Sequence, residues 1–582
     1  MVARPAPERT TEAAVELPLA ESPRAARGAP DAEAGARPDI PAGPRWELPA
    51  IILLALSVRL AHLDHPPHFD ELYHALAARS WVADGSLRIA DGTYTRASLF
   101  TVLIGAFYRL LGDSLVVARL PSVLAGTAWV GAIFVWTRRE IGRGAAWGAA
   151  LLFAIDPGAV NLSQQARFYA LHGLLFWLGA AAVYAAVTRP GGRRAWARWP
   201  VAALLLGVAL HLQQTTLIGL AALGSWVAAA LVLRLPPPRR LRRSAAALGA
   251  GMVALAALAQ TETGRELWRL YRYTALWASA QESNVRWYAD WLMARYPVLW
   301  ALLPMAALTA LARRRAPAAF CLTVFTLALL LHSFAGFKQE RFIYYALPFF
   351  FVVWGIALAA LAPGFVRLAR RLAGRPPSHA DPASHPAGRV MVVGLVAGCV
   401  GFAAYANSAV VLGVRMVFPE PGRRPYQEAD WGAAAPRLAA LADSVEVVVT
   451  SAGPKAQYFV GRFDYGLSAT ELMDYGRDTP EFVRDPRTGR PLISQVGSIE
   501  RVMSCHATGL AIVEQLHWGR RWSVPPDVAE YVAAHADSVA LPPAWGLLVY
   551  RWREPASVPS EPCPPDAAEL SSRTRAGAPS AR

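Results

Sequence analysis

The sequence predicts a mostly α, polytopic helical membrane protein that carries a small α/β domain towards its C-terminus. Three observations lead there. Of 582 residues, 54% are hydrophobic and only 17% are charged, which is too apolar for an ordinary soluble enzyme of this length. Apolar runs of spanning or near-spanning length recur up to about residue 414. Arginine clusters interrupt these runs after every second one, as short cytoplasmic connections do. The formal net charge of +16 is therefore a topology signal, and nucleic-acid binding is excluded as the reason for it.

Taken in order, residues 1–45 are rich in Ala, Pro, Arg and Glu and lack apolar periodicity; they read as a disordered cytoplasmic segment. The run Leu48 to Leu63 has no small-residue cleavage pattern and reads as a retained span. Further runs near 114–137, 144–161, 168–188, 199–212, 216–235, 243–261, 297–312, 316–335, 345–364 and 389–414 bring the total to about eleven. The clusters Arg138/Arg139/Arg143, Arg189/Arg193/Arg194/Arg198, Arg234/Arg239/Arg240/Arg242/Arg243, Arg313/Arg314/Arg315 and Arg367/Arg370/Arg371/Arg375 place their connections in the cytoplasm. Ser98 to Leu111 is apolar but short. As a full span it would put every later cluster on the wrong side, so it is expected to be re-entrant or to lie along the outer interface. The first outer loop is thus 64–113, and the polytopic module is 46–414.

Beyond it, Val445 to Thr450, Leu510 to Glu514 and Gly546 to Trp552 read as strands, with helical patterns at Ala433 to Ala442 and Val528 to His535. This gives an α/β domain over 415–555 and a disordered tail over 556–582. Cys505 and Cys563 lie in this polar part, and a disulfide between them is open.

Chemistry concentrates where ionisable groups meet the expected outer surface. His68-Phe69-Asp70-Glu71-Leu72-Tyr73-His74 puts adjacent carboxylates beside a span. Such groups are costly near hydrocarbon unless solvated or partnered, although Asp70 and Glu71 also fit ordinary first-turn acids of a helix. That helix, 71–83, would rest Leu72, Leu76 and Ala83 on the membrane. Asp91, Tyr94 and Arg96 follow in the same loop. Ser163-Gln164-Gln165-Ala166-Arg167-Phe168-Tyr169 and Phe337-Lys338-Gln339-Glu340-Arg341-Phe342-Ile343-Tyr344-Tyr345 fall on the same side, so one carboxylate site and two cationic sites are expected to share a cavity. The loop 262–296, laced with Trp and Tyr, reads as interfacial.

The Asp70-Glu71 pair, the Tyr94 to Ser98 turn, Ala118-Arg119-Leu120-Pro121-Ser122 and the Ser163 to Tyr169 stretch resemble membrane glycosyltransferases of the C-type (GT-C) fold. The likeness is to the bacterial branch of family 39, related to protein O-mannosyltransferases and aminoarabinose transferases. It spans roughly residues 46–414, and Asp430-Trp431 also resembles the start of the tail domain in bacterial members. The resemblance implies a polyprenyl-phosphate sugar donor, and an acceptor hydroxyl on a lipid, glycan or protein, reached from the extracytoplasmic side of a cell membrane. It also implies inversion at the sugar carbon. An inverting transfer needs a general base and stabilisation of the departing phosphate. Asp70 is the expected base, tuned by Glu71. Arg341, Lys338 and Arg167 are the expected phosphate-binding cations, by the match of guanidinium to phosphate geometry; snorkelling is the alternative for Lys338 and Arg341. Tyr73, His74, Tyr94, Tyr169 and Tyr344 are the remaining expected substrate contacts, while His68 and His74 serve either protons and phosphate or simply their own loop. Many relatives carry an acid where this sequence has Gln165, so a divalent metal is not firmly implied and no metal ligands are assigned. A transporter or flippase of a lipid-linked solute, and a silent scaffold, are the alternative readings. The former calls for mid-span charges and internal repeats, and neither is evident.

Overall fold

The computed structural model describes residues 45–189, 197–232, 246, 249–251, 253, 256, 257, 259–272, 283–372, 429–473, 479–553 and 563. The runs at 243–261 and 389–414 fall partly or wholly outside the described residues.

The chain enters on α1 (Glu47–Leu60) and turns into α2 (Phe69–Asp84), which stops at Gly85 in a left-handed cap with φ 78°. Glycine adopts that conformation without a Cβ penalty. A short hairpin, β1 (Arg88–Ile89) and β2 (Gly92–Thr93), leads to α3 (Ser98–Leu111). This 14-residue helix packs on α2 and on α4 (Leu115–Glu140). Leu72 and Leu76 of α2, expected on the membrane, are buried, while Ala83 is exposed. The side chains packed with Leu76 are Tyr73, Ile89 and Tyr94.

Near-spanning run 144–161 is broken. α5 (Arg143–Ala154) and α6 (Pro157–Ser163) meet at a 62° bend. The sequence accounts for the restart: Asp156 Oδ1 accepts from the Ala159 amide at 2.8 Å and Pro157 occupies the first helical position. α7 (Tyr169–Thr188), α8 (Arg198–Leu212) and α9 (Thr216–Val232) follow. α10 (Glu262–Arg272), α11 (Trp287–Arg295) and α12 (Pro297–Ala301) precede α13 (Leu303–Arg313) and α14 (Arg315–Ser333). α15 (Glu340–Ile343) runs through a 3-10 turn into α16 (Leu347–Leu372). Among the described residues, four helical segments are long and apolar enough to cross a membrane, and the α5–α6 pair makes a fifth. α5 and α16 touch at small residues: a Cβ on Gly355 would meet the Ala149 amide nitrogen at 2.9 Å.

The C-terminal part holds α17 (Trp431–Ala442), β3 (Val447–Thr450), α18 (Gly453–Phe459), β4 (Tyr465–Leu467) and α19 (Ala469–Met473). Then come β5 (Val483–Arg484), β6 (Pro491–Ile493), α20 (Val496–Cys505), β7 (Gly509–Glu514), α21 (Pro526–His535), β8 (Asp537–Ser538) and β9 (Leu547–Trp552). The sheet order is β5-β6-β4-β3-β7-β9-β8, with β6, β4, β3 and β7 parallel. β3 and β7 are buried along their whole length, which is why they read as continuous apolar runs. Cys505 and Cys563 form a disulfide, with Cα atoms 5.6 Å apart.

This domain is joined to the first loop through backbone. The Asp91 amide donates to Thr488 O and the Thr93 amide to Pro486 O, each at 3.0 Å. Gly489, at φ 72°, allows that approach, since a Cβ there would lie 2.6 Å from the Gly92 nitrogen.

Candidate active site

The site begins with the cap of α2. His68 Nδ1 accepts from the Asp70 amide at 3.2 Å, and the His68 amide donates to Glu71 Oε1 at 2.6 Å. Carboxylates in a first turn are favoured by the aligned peptide dipoles. Successive residues leave a helix about 100° apart, so the adjacent acids enter different surroundings.

Asp70 stays partly open, its side chain 25% exposed, with Oδ2 at 2.8 Å from Arg167 Nη1 and 3.1 Å from Arg341 Nη1. Glu71 is wholly buried. Arg119 grips it with Nε to Oε2 at 2.9 Å and Nη2 to Oε1 at 2.8 Å, and the Ala166 amide donates to Oε2 at 2.9 Å. Burial pushes the Glu71 carboxyl up, and the Arg119 fork with the Ala166 N–H more than offsets this, holding it below the ordinary range. The remaining Arg119 Nη1 donates to Leu63 O at 2.6 Å and His65 O at 2.8 Å. The sequence groups Glu71 with Asp70 as catalytic; the geometry gives Glu71 a fastening position between α2, α4 and the 164–168 turn.

Arg167 is buried, its carbonyl accepts from Ser122 Oγ at 2.8 Å, and Nη2 donates to Tyr169 Oη at 3.2 Å. The Tyr169 ring lies 5.3 Å from the Arg167 guanidinium and 6.0 Å from that of Arg341, within cation–π range. Asp70, Arg167, Arg341 and Tyr169 therefore stand together, from three distant stretches. Behind them Tyr73 stacks on Tyr94 at 5.2 Å, and His74 Nδ1 lies 2.8 Å from Thr101 Oγ1, with Tyr94 Oη 3.5 Å from its Nε2. Burial and the Arg96 charge push His74 down to about 3; burial with Arg341 and Arg167 does the same to His68. Both imidazoles are neutral at physiological pH. Burial pushes the Tyr94 hydroxyl up to about 12.

Lys338 and Tyr344 lie elsewhere than directly at Asp70. Lys338 is buried and donates from Nζ to Ala335 O at 2.7 Å. Tyr344 sits against Gly158 beside Asp156 and Arg295, in a cluster where Tyr296 Oη donates to Asp156. That cluster holds Glu340, the chain neighbour of Arg341: Trp291 Nε1 donates to Glu340 Oε2 at 2.8 Å, and Arg295 Nη2 is 3.5 Å from the same oxygen.

Arg96 is a further cation near Tyr169, and the sequence reading gave it no role. It is exposed, its guanidinium 5.6 Å from the Phe168 ring, with Nη2 3.5 Å from Gln213 Oε1. Among the described residues no carboxylate lies within ion-pair distance of it. The signal was its place two residues after Tyr94.

Residues 96–261 match the family model described as dolichyl-phosphate-mannose-protein mannosyltransferase. The structure is similar to that of ArnT from Cupriavidus metallidurans bound to undecaprenyl phosphate. The TM-score is 0.55 at 16% identity, covering 87% of this chain and 97% of that one. It is also similar to the archaeal oligosaccharyltransferase AglB from Archaeoglobus fulgidus in complex with an inhibitory peptide and a dolichol-phosphate. There the TM-score is 0.54 at 13% identity, covering 89% of this chain and 75% of that one. The chain has the GT-C glycosyltransferase fold. No curated protein matches it in sequence.

Within this GT-C fold the site is a single partly open carboxylate surrounded by guanidiniums. Among the described residues no three His, Cys, Asp or Glu groups gather as metal ligands, and the Gln165 amide is turned to Asn161 Oδ1 at 3.2 Å. Asp70 faces cations instead of further oxygen ligands, a set that does not suit a hard divalent ion. What it suits is an oxyanion placed next to a base.

Proposed function

We propose that this chain transfers a sugar from a polyprenyl-phosphate donor to a hydroxyl of a lipid, glycan or protein acceptor, with inversion, on the extracytoplasmic face of a cell membrane. The observation that carries the reading is the sharing of one Asp70 oxygen by Arg167 and Arg341, with Arg96 close by and without an acidic partner among the described residues. Asp70 takes the proton of the acceptor hydroxyl, that oxygen attacks the sugar carbon, and the bond from the carbon to the phosphate oxygen breaks on the opposite side. The departing polyprenyl phosphate carries the displaced electron pair and is held by Arg341 and Arg96, with Lys338 as further positive charge. The Arg341 guanidinium, which holds Asp70 before the donor arrives, would turn to its phosphate and free the carboxylate to act as a base. Arg167, more deeply buried, would keep Asp70 aimed.

The orientation is supported by the Cys505–Cys563 disulfide, since such bonds persist in oxidising compartments. ArnT and AglB were each captured with a polyprenyl or dolichol phosphate, which fits a donor of that class here. The test is transfer from a panel of labelled polyprenyl-phosphate sugars by the full chain in nanodiscs, with products identified by mass. Asp70→Asn should lower turnover by about 10²- to 10⁴-fold, the usual worth of a positioned base, while undecaprenyl phosphate binding stays within a fewfold of wild type. Undiminished transfer by Asp70→Asn would refute the assignment.

A further inference from the structure

The sheet of the C-terminal domain has a reversal in its winding. From β3 the chain passes through α18 to β4 on one side, whereas β7, reached much later through α20, lies on the other. In open α/β sheets, ligands bind outside the carboxyl ends of the strands at such a switch point, because the connecting loops leave in opposite directions there. The carboxyl ends here are Thr450-Ser451 and Glu514-Gln515.

Polar groups gather at that point. Ser451, Lys455 and Glu514 are buried, and His517 is 18% exposed at its side chain. Lys455 Nζ lies 3.0 Å from Glu514 Oε1, to which Trp431 Nε1 also donates at 2.7 Å. The Glu514 amide donates to Ser451 Oγ at 3.2 Å. His517 Nδ1 lies 3.2 Å from the same hydroxyl, and His517 Nε2 is 3.8 Å from Glu514 Oε2. A buried ion pair returns little net stability against an apolar substitute, so its presence at a switch point calls for another reason.

This end of the sheet faces the catalytic helix. α18, which carries Lys455, packs on α2, and the Arg79 guanidinium lies 3.9 Å from the Tyr458 ring. Lys455 is near enough for its charge to act on His68, the cap residue that bonds the Asp70 amide. The Arg487 guanidinium also meets this helix, 4.9 Å from the Tyr73 ring. Charge separates this place from the surroundings of Asp70. Lys455 and Glu514 cancel, and burial, opposed by the Glu514 charge and aided by that of Lys455, lowers the His517 imidazole from its ordinary value; Arg520 and Arg521, further along the loop, are turned to solvent. A balanced set of hydroxyl, imidazole and carboxylate suits neutral hydroxyl groups, not a phosphate.

We propose that Ser451, His517 and the Lys455–Glu514 pair form a subsite for a neutral, hydroxyl-rich acceptor, a saccharide, which they present to Asp70; this rests on the sugar-transfer reading above. The test uses the full chain in nanodiscs, a panel of neutral and anionic oligosaccharides read by saturation-transfer NMR, and undecaprenyl phosphate as the probe of the donor side. Neutral saccharides should bind wild type and Asp70→Asn alike. Binding should weaken at least tenfold in His517→Ala and Ser451→Val, with undecaprenyl phosphate affinity within twofold, which also reports that the variants are folded. Binding confined to anionic oligosaccharides, no saccharide binding, or binding unchanged in both variants would overturn the proposal. Saccharide binding that maps to this subsite without transfer from any polyprenyl donor would overturn the reaction reading instead.

Discussion

At the scale of single residues, adjacent acids with the same first-turn chemistry have separate tasks because the helix turns them apart. Glu71 and Arg119 are both wholly buried and joined by two hydrogen bonds. Removing one partner leaves a buried charge uncompensated, at a cost of about 3–5 kcal/mol. Glu71→Gln should therefore lower the thermal midpoint in nanodiscs sharply, whereas Asp70→Asn, at a partly open position, should leave it within a degree or two of wild type. Equal losses of midpoint in the two variants would remove the distinction drawn between them. The histidines add a pH dependence. The ordinary His74 value is 6.5 and the folded one about 3, so between those limits the unfolded chain binds a proton that the folded chain does not. Stability is full above about pH 6.5 and erodes as pH falls towards 3, with a slope of at most about 1.4 kcal/mol per unit for each such group. Melting curves from pH 8 to pH 5 should show that decline, and His74→Gln should make it shallower.

At the scale of elements, what the sequence disclosed followed the length of each signal. β3, β7 and β9 were legible because each is rich enough in Val, Leu or Ile to stand out, and α17 and α21 were legible from their period over Ala433 to Ala442 and Val528 to His535, each helix beginning two residues earlier. β4, β6 and the hairpin strands of two or three residues carry no comparable pattern. The break at Asp156 was hidden because α5 and α6 together have the apolarity of one span. Arg167 and Arg341 stood out within their motifs, but the partnership of Glu71 with Arg119 was not legible, since it depends on a contact 48 residues apart. The same reasoning bears on Arg96 and Arg341, which reach the site from the turn after β2 and from α15. Each is expected to hold phosphate as it departs, so Arg341→Ala and Arg96→Ala should each lower turnover by about 10²-fold, the scale of losing one charged donor to a developing oxyanion. Lysine at either position should restore part of it, since it supplies the charge without the planar fork. Steady-state kinetics on a labelled donor measure this directly, and an Arg96→Ala enzyme with wild-type turnover would take that residue out of the site.

At the scale of the whole molecule, the GT-C helices and the C-terminal domain meet at the loop that carries Asp70, through a backbone joint made by residues more than 390 apart in sequence. Two kinds of contact hold the joint, and their magnitudes differ. The Arg490–Asp91 pair, 3.3 Å apart with Asp91 46% exposed, is worth about 0–1 kcal/mol, as surface pairs are. The approach of Gly489 to Gly92 is steric, and a side chain at Gly489 must both enter a left-handed conformation at φ 72° and displace the Asp91–Gly92 backbone. Gly489→Val should therefore separate the domain from α2, while Arg490→Ala should leave it docked. The crosslinking yield between cysteines placed on α2 and on α18 reads the separation. Transfer should fall at least tenfold in Gly489→Val and stay within about twofold in Arg490→Ala, because only the first moves Arg487 off Tyr73 and the Lys455 charge away from the cap of α2.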